Sequence, residues 1–218
     1  MEHLTSIVAV NHDKIIGAGN ALPWRLKSDL KFFRAETLGN VVLMGRKTYD
    51  SLGNTPLKGR FNVVVSHSFG LFDSSEEAVS ATGIEDALFR ASRAPKPFRR
   101  HYVIGGASMY DQLAPFVDRY LITLVDKEVP DGDTFFDDRF LKDQEHWELN
   151  ELFRKSASDE DEASFTVFEV LARDPAAFAE RRREAIARGE RQATAGQVKR
   201  LRGANRRSVE STPMYSML

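Results

Sequence analysis

The sequence predicts an α/β fold: a mostly parallel sheet flanked by helices and closed by a C-terminal antiparallel hairpin. Two observations carry this expectation. Between residues 4 and 126, short β-branched and apolar runs alternate with stretches compatible with helices, the pattern that builds parallel sheets. The last two apolar runs have only a polar segment between them, which predicts direct antiparallel pairing.

Taken in order, Leu4 to Val10 reads as the first strand. Leu26, Leu30 and Phe33 then fall at i, i+4 and i+7 after the Pro23-Trp24 turn and predict the first helix. Strands follow at Val41 to Met44, Asn62 to Ser66, Tyr102 to Gly105 and Tyr120 to Asp126, with helices at Ile84 to Ala91 and Ala107 to Leu113. Trp147 to Phe153 and Phe165 to Leu171 form the closing hairpin. Its connection carries Asp159, Glu160, Asp161 and Glu162, oxygen ligands of the kind hard cations take, but the expectation is a solvated loop.

The bulk properties allow one core with a small appendage. The chain has 218 residues, 42% apolar and 29% charged, and no cysteine, so disulfides and thiolate metal sites are excluded. Neither a signal peptide nor a membrane span is visible, and a cytoplasmic protein is expected. The net charge of -1 hides an asymmetry: residues 173–218 carry 11 Lys+Arg against 5 Asp+Glu, whereas residues 1–172 carry 20 against 27. A domain over 1–172 and a basic C-terminal extension over 173–218 are therefore expected. Asp174-Pro175 opens a short helix over about 175–188 and Gly189 ends it, with disorder beyond. Phe178 and Ile186 are its only large apolar residues, so light packing is expected. The extension offers Arg181 to Arg183, Lys199, Arg200, Arg202, Arg206 and Arg207 to a nucleic acid or acidic protein, although a solvated extension without a partner is preferred.

Three stretches can carry chemistry. In the first, Gly17, Gly19 and Asn20 form a loop able to adopt unusual backbone angles, followed by Pro23-Trp24 and by Asp29 in the first helical turn. A carboxylate there suits the helix dipole and needs no further role. Beside Leu30 and Phe33, however, it has apolar company suited to a cleft, where a fork of two parallel N–H donors would satisfy it. The second stretch, Met44 to Tyr49, runs from a strand into Gly45, Arg46, Lys47 and Thr48 at a helix start, an arrangement open to phosphate. The third, Val103 to Tyr110, places Gly105-Gly106 between strand and helix, where a pyrophosphate can approach the backbone. It is not G-x-G-x-x-G. His3, His12, His67, His101 and His146 show no metal-ligand spacing, and all but His67 are expected on surfaces or loops.

Together and in register, IIGAGNALPW with Asp29, MGRKTYDSL, LKGR at Leu57 to Arg60, VVVSHS, VIGGASMY and LITLVD ending in GDTFF resemble dihydrofolate reductase. The resemblance spans nearly all of residues 4–171 and implies a central, mostly parallel eight-stranded sheet, a monomer, and NADPH-dependent reduction of dihydrofolate. It assigns Asp29, helped by Thr123, to the pterin's amino group and ring N–H, and Trp24 to ordering a water and the loop over the site. Ile7, Leu30, Phe33, Leu52 and Leu57 become the apolar walls, and Arg60 the partner of the glutamate-tail carboxylate.

For the cofactor, the resemblance places the backbone of Ala9 and Ile16 at the nicotinamide carboxamide, beside the Gly17 to Asn20 loop, with Tyr110 stacked nearby. Gly105, Gly106 and Ala107 would admit the pyrophosphate together with Gly45 to Thr48, in the motif that continues through Ser108 and Met109. Arg46, Lys47, Ser66 and His67 would surround the adenosine 2'-phosphate. Two departures stand out: Ala107 replaces a usual glycine and requires a backbone angle that is not positive, and Ser108 replaces a frequent cation. An aspartate with an unperturbed pKa of about 3.9 is ionised at neutral pH and donates poorly, so water near Trp24 is expected to protonate N5. The riboflavin-pathway reductase shares this fold and NADPH, but Asp29 and Arg60 favour a folate substrate. A catalytically idle module of the same fold is the alternative from another class.

Overall fold

A computed structural model of the protein describes residues 1–66, 77–95, 97–142 and 145–210, with side chains through residue 195. Its centre is an eight-stranded sheet. In chain order the strands are β1 (Thr5–Asn11), β3 (Val41–Gly45), β4 (Phe61–Val65), β5 (Ala78–Ala81), β6 (His101–Val103), β7 (Arg119–Val125), β9 (Trp147–Lys155) and β10 (Phe165–Ala172). They lie side by side as β5-β4-β3-β6-β1-β7-β10-β9. All neighbours are parallel except β7 with β10 and β10 with β9, which close the sheet as the hairpin pattern predicts. Four helices connect them: α1 (Lys27–Thr37), α2 (Arg46–Ser51), α3 (Ile84–Ser92) and α4 (Ala107–Leu113). A small second sheet pairs β2 (Ile15–Gly17) with β8 (Thr134–Phe135).

Period-two alternation along the strands divides the core between the two faces of the sheet. Val8, Val10, Leu43, Val63, Val103 and Tyr120 face one side, against α3 and α4. Ile7, Val42, Met44, Tyr102 and Leu121 face the other, with Phe32 and Phe33 of α1. Val125, Phe165 and Val167 extend that second face under Trp24 and Leu26. The sequence reading omits β2, β5 and β8, which are too short for a periodic signal. It also puts His101 on a surface or loop. The residue is buried in β6, its Nε2 3.2 Å from the Ala91 carbonyl, and burial lowers its pKa to about 4.

The C-terminal segment departs most from expectation. The helix α5 (Pro175–Glu210) runs through Gly189 instead of ending there. Gly189 has no positive φ and is no cap; it lies against α3, where an added Cβ would collide with the Glu85 carbonyl. Arg188 and Gln192 bond Glu85, and Arg93, just after α3, pairs with Glu190 at 2.8 Å. Phe178 packs on Trp147 with ring centroids 5.6 Å apart, and Ile186 joins the core.

Arg182, expected in a solvated basic extension, is 0% exposed. It donates to the carbonyls of Phe116 (2.5 Å) and Glu2 and to Asp118 Oδ2 (3.0 Å), a pairing that lets so polar a side chain enter a core. Packing is therefore not light. Among the described residues no helix is long and apolar enough to cross a membrane.

Candidate active site

Asp29, in the first turn of α1, meets Thr123 of β7. Thr123 lies in β7 opposite Ala9 of β1, with its side chain on the α1 face, and its hydroxyl donates to Asp29 Oδ1 at 2.6 Å. Burial pushes the Asp29 carboxyl up from the ordinary aspartate range. The Thr123 hydroxyl pulls it partly back, and the negative charge of Asp161 adds to the rise. Asp29 is thus not the unperturbed aspartate that the sequence reading assumes. Among the described residues Thr123 is its one hydrogen-bond partner, which leaves the second oxygen for a ligand donor.

The acidic hairpin connection is not merely solvated. Asp161 is buried and accepts from Ser28 N–H at 2.8 Å, while Glu162 accepts from Arg25 N–H and from Lys127. Lys127 also donates to the Pro23 carbonyl, so the chain is held on both sides of Trp24. Among the described residues no group of three or more His, Cys, Asp or Glu side chains is arranged for a metal. The Trp24 indole is buried, and its N–H has no protein acceptor, a donor suited to a ligand or solvent oxygen.

Ile7, Phe33 and Leu57 come together as one apolar group on this face. Leu30 and Leu52 are exposed, on α1 and just beyond α2. Arg60 is buried, with Nε donating to Thr37 Oγ1 at 2.9 Å and one terminal nitrogen to the Lys58 carbonyl, and its guanidinium lies 5.8 Å from the centre of the Phe33 ring. Burial, and then the nearby Arg34, disfavours its charge. It pairs with no acidic side chain among the described residues, so an incoming carboxylate would meet a preorganised cation. Asn62 shapes this corner: its amide bonds both backbone groups of Leu57 and the carbonyl of Arg60. Thr37, Asn62 and Asp161 escape sequence reasoning because their partners are remote or lie in irregular backbone.

The two glycine turns are neighbours. Gly45 N–H donates to the Gly105 carbonyl at 2.8 Å, and a Cβ on Gly106 would stand 3.4 Å from Thr48 Oγ1. The positive angle falls on Gly105 (φ 111°), while Ala107 opens α4 without one, which satisfies the condition set for that departure. Met109 and Tyr110 are buried. Met109 fills the space beside Gly45, and the Tyr110 hydroxyl donates to the Ile7 carbonyl at 2.8 Å. Both side chains belong to the core on the α3 and α4 face of the sheet.

Across the cleft, Gly19 (φ 58°) and Asn20 (φ 63°) form the expected left-handed loop, pinned where Gly19 N–H meets Asp133 Oδ2 at 2.9 Å. Ile16 is half-buried and Gly17 buried in the adjoining β2. At the far end, Arg46 is held by Asp50 at 2.6 Å, Lys47 is exposed, Ser108 bonds Gln112, and Ser66 is buried just after β4. His67 lies outside the described residues.

A family model described as dihydrofolate reductase matches residues 3–173. The chain belongs to the dihydrofolate reductase family. Its activity is the reduction of dihydrofolate to tetrahydrofolate, with NADPH as cofactor. The dihydrofolate reductase of Neisseria meningitidis serogroup A is 38% identical over 158 residues, 72% of this chain and 91% of that protein. The Bacillus subtilis dihydrofolate reductase is 35% identical over 147 residues, 67% of this chain and 80% of the relative. A solved dihydrofolate reductase from Enterococcus faecalis, complexed with NADP(H) and RAB-propyl, superimposes with a TM-score of 0.68 at 25% identity. The match covers 79% of this chain and 98% of that one. The paired glycine turns, with Thr48 between them, fit such a dinucleotide.

Proposed function

We propose that residues 1–172 form the reductase domain and that Asp29, held by Thr123, binds the 2-amino-4-oxo edge of 7,8-dihydrofolate. The 2.6 Å bond between them is the observation that carries this reading. It fixes one carboxylate oxygen in a cleft lined by Ile7, Phe33 and Leu57, and leaves the other for the amino and ring N–H fork. Leu30 and Leu52 complete the walls, and Arg60 grips the glutamate tail through a planar fork that lysine cannot reproduce.

Bound NADPH supplies the hydride that reaches C6 of the pterin. Ala9 and Ile16 present backbone groups to the nicotinamide carboxamide, with Gly17 and Asn20 in the covering loop and Tyr110 beneath β1. Gly45, Thr48, Gly105, Gly106 and Ala107 cradle the pyrophosphate, with Met109 packed behind. Arg46, Lys47, Ser66, Ser108 and His67 surround the adenosine end. Because Asp50 already holds Arg46, Lys47 carries much of the charge facing a 2'-phosphate.

Asp29 orients and polarises the pterin, while the Trp24 indole N–H holds the oxygen that delivers a proton to N5. The enzyme acts as a cytoplasmic monomer, with α5 bonded to the domain through Arg182, Arg188, Glu190 and Gln192, while the side chains of Lys199, Arg200, Arg202, Arg206 and Arg207 lie outside the described residues. Purified protein mixed with NADPH and dihydrofolate tests the reading by loss of NADPH absorbance. Turnover blocked by a folate analogue is expected; correctly folded protein without turnover refutes it.

A further inference from the structure

The helix that carries Asp29 lacks a cap of its own. Leu26 stands at the position where Ser, Thr, Asp or Asn is preferred and makes no side-chain cap bond. The deficit is made up from elsewhere in the chain. Asp161 Oδ1 accepts the Ser28 N–H at 2.8 Å, one residue before Asp29, and the Glu160 carbonyl accepts the Lys27 N–H at 3.2 Å. Asp161 lies in the loop between β9 and β10 and is only 2% exposed. An ionised carboxylate so buried is costly unless it is bonded. Burial pushes Asp161 up, but the Ser28 hydroxyl and N–H, with Lys155 and Lys31 nearby, hold it below the ordinary range. The loop is itself braced, since Ser158 and Asp161 exchange backbone bonds, Glu160 pairs with Lys31, and Glu162 with Lys127.

From this arrangement we propose that Asp161 is a positioning residue for Asp29. By capping α1 from the β9–β10 loop at the turn that bears Asp29, it sets both the placement of the pterin-binding carboxylate and the electrostatic field around it. The inference rests on the reading of Asp29 given above. The groups around Asp29 are few. β7 contributes the Thr123 hydroxyl; Ala9 of β1 and Val167 of β10, in register with Thr123, carry no charge; the loop contributes Asp161. On α1 itself, Lys27 and Lys31 are directed to Glu160. Asp161 is therefore the acidic neighbour that acts on Asp29.

Two variants separate its cap from its charge. Asp161→Asn keeps an acceptor for Ser28 N–H and removes the charge; Asp161→Ala removes both. The carboxyl carbon of Asp29 is titrated by 13C NMR in the wild type and both variants, with Asp29→Asn to assign the signal. Steady-state kcat and KM for dihydrofolate are measured in parallel. Asp161→Asn is expected to keep near-normal thermal stability and lower the Asp29 midpoint by about half a pH unit. Asp161→Ala is expected to reduce kcat/KM by about tenfold, the loss of one helix cap expressed at the site. An unmoved midpoint in Asp161→Asn overturns the proposal, as does wild-type kcat/KM in Asp161→Ala. Should Asp161→Ala fail to fold, the Asp161→Asn titration decides alone. Failure of the wild type to reduce dihydrofolate would sink the functional reading and leave the titration valid.

Discussion

Removing the Arg182 side chain tests whether α5 belongs to the folded unit. The guanidinium is wholly buried and ties two separate pieces of chain to α5: Glu2 near the N-terminus and the Phe116 to Asp118 connection ahead of β7. Breaking a buried pair from one side costs about 3–5 kcal/mol, chiefly through the charge left behind. Asp118 keeps two partners, Leu4 N–H at 2.9 Å and His3 Nδ1 at 2.9 Å, so the lower end applies, about 3 kcal/mol for Arg182→Ala. At about 2–4 °C per kcal/mol for a chain of this size, Tm should fall by roughly 6–12 °C. Urea and thermal denaturation measure it, and the double variant Arg182→Met, Asp118→Asn should regain much of the loss. Tyr120 and Thr123 point to opposite sides of β7, and the dock lies on the Tyr120 side, so kcat/KM below the transition should stay close to normal. A loss under about 1 kcal/mol would refute the argument and return α5 to the status of a loose appendage.

Thr123→Val removes the hydroxyl that holds Asp29 ionised; the carboxyl should titrate still higher and kcat/KM for dihydrofolate should fall about tenfold, by steady-state kinetics across pH. Arg60→Lys keeps the charge but loses the fork, and KM for dihydrofolate should rise about tenfold while an analogue lacking the glutamate tail is unaffected. Gly189→Ala forces a methyl onto the Glu85 carbonyl and should cost about 1–3 kcal/mol in denaturant unfolding.

Sequence patterns reveal what repeats along the chain and hide what is made between distant segments. The apolar runs of β1, β3, β4, β7 and β10 are readable because burial imposes β-branched residues in short blocks, and the mostly exposed β9 is readable through the hairpin it closes with β10. β5, with four residues including Ser80, and the three-residue β2 lack the length for any period to show. Asp29, Thr123, Ile7, Phe33 and Leu57 could be assigned through the family motifs, and the fold brings them together. Asp161 looked like part of a solvated acidic run because its partner, Ser28, is remote in sequence. Gly189 looked like a helix end because a glycine that terminates a helix and one that admits a neighbouring backbone are identical in sequence; only the nearness of Glu85 separates them. Arg182 was grouped with a basic tail by composition, whereas Asp118 gives it a buried partner.

The central claim is that the Asp29 carboxylate holds the pterin. Asp29→Asn retains the size of the side chain and removes the charge that pairs with the donor fork. At pH 7, kcat/KM for dihydrofolate with saturating NADPH should fall about a hundredfold, the loss of about 3 kcal/mol of charge-assisted bonding, with the fold and NADPH binding intact. Turnover close to that of the unmodified enzyme would contradict the account.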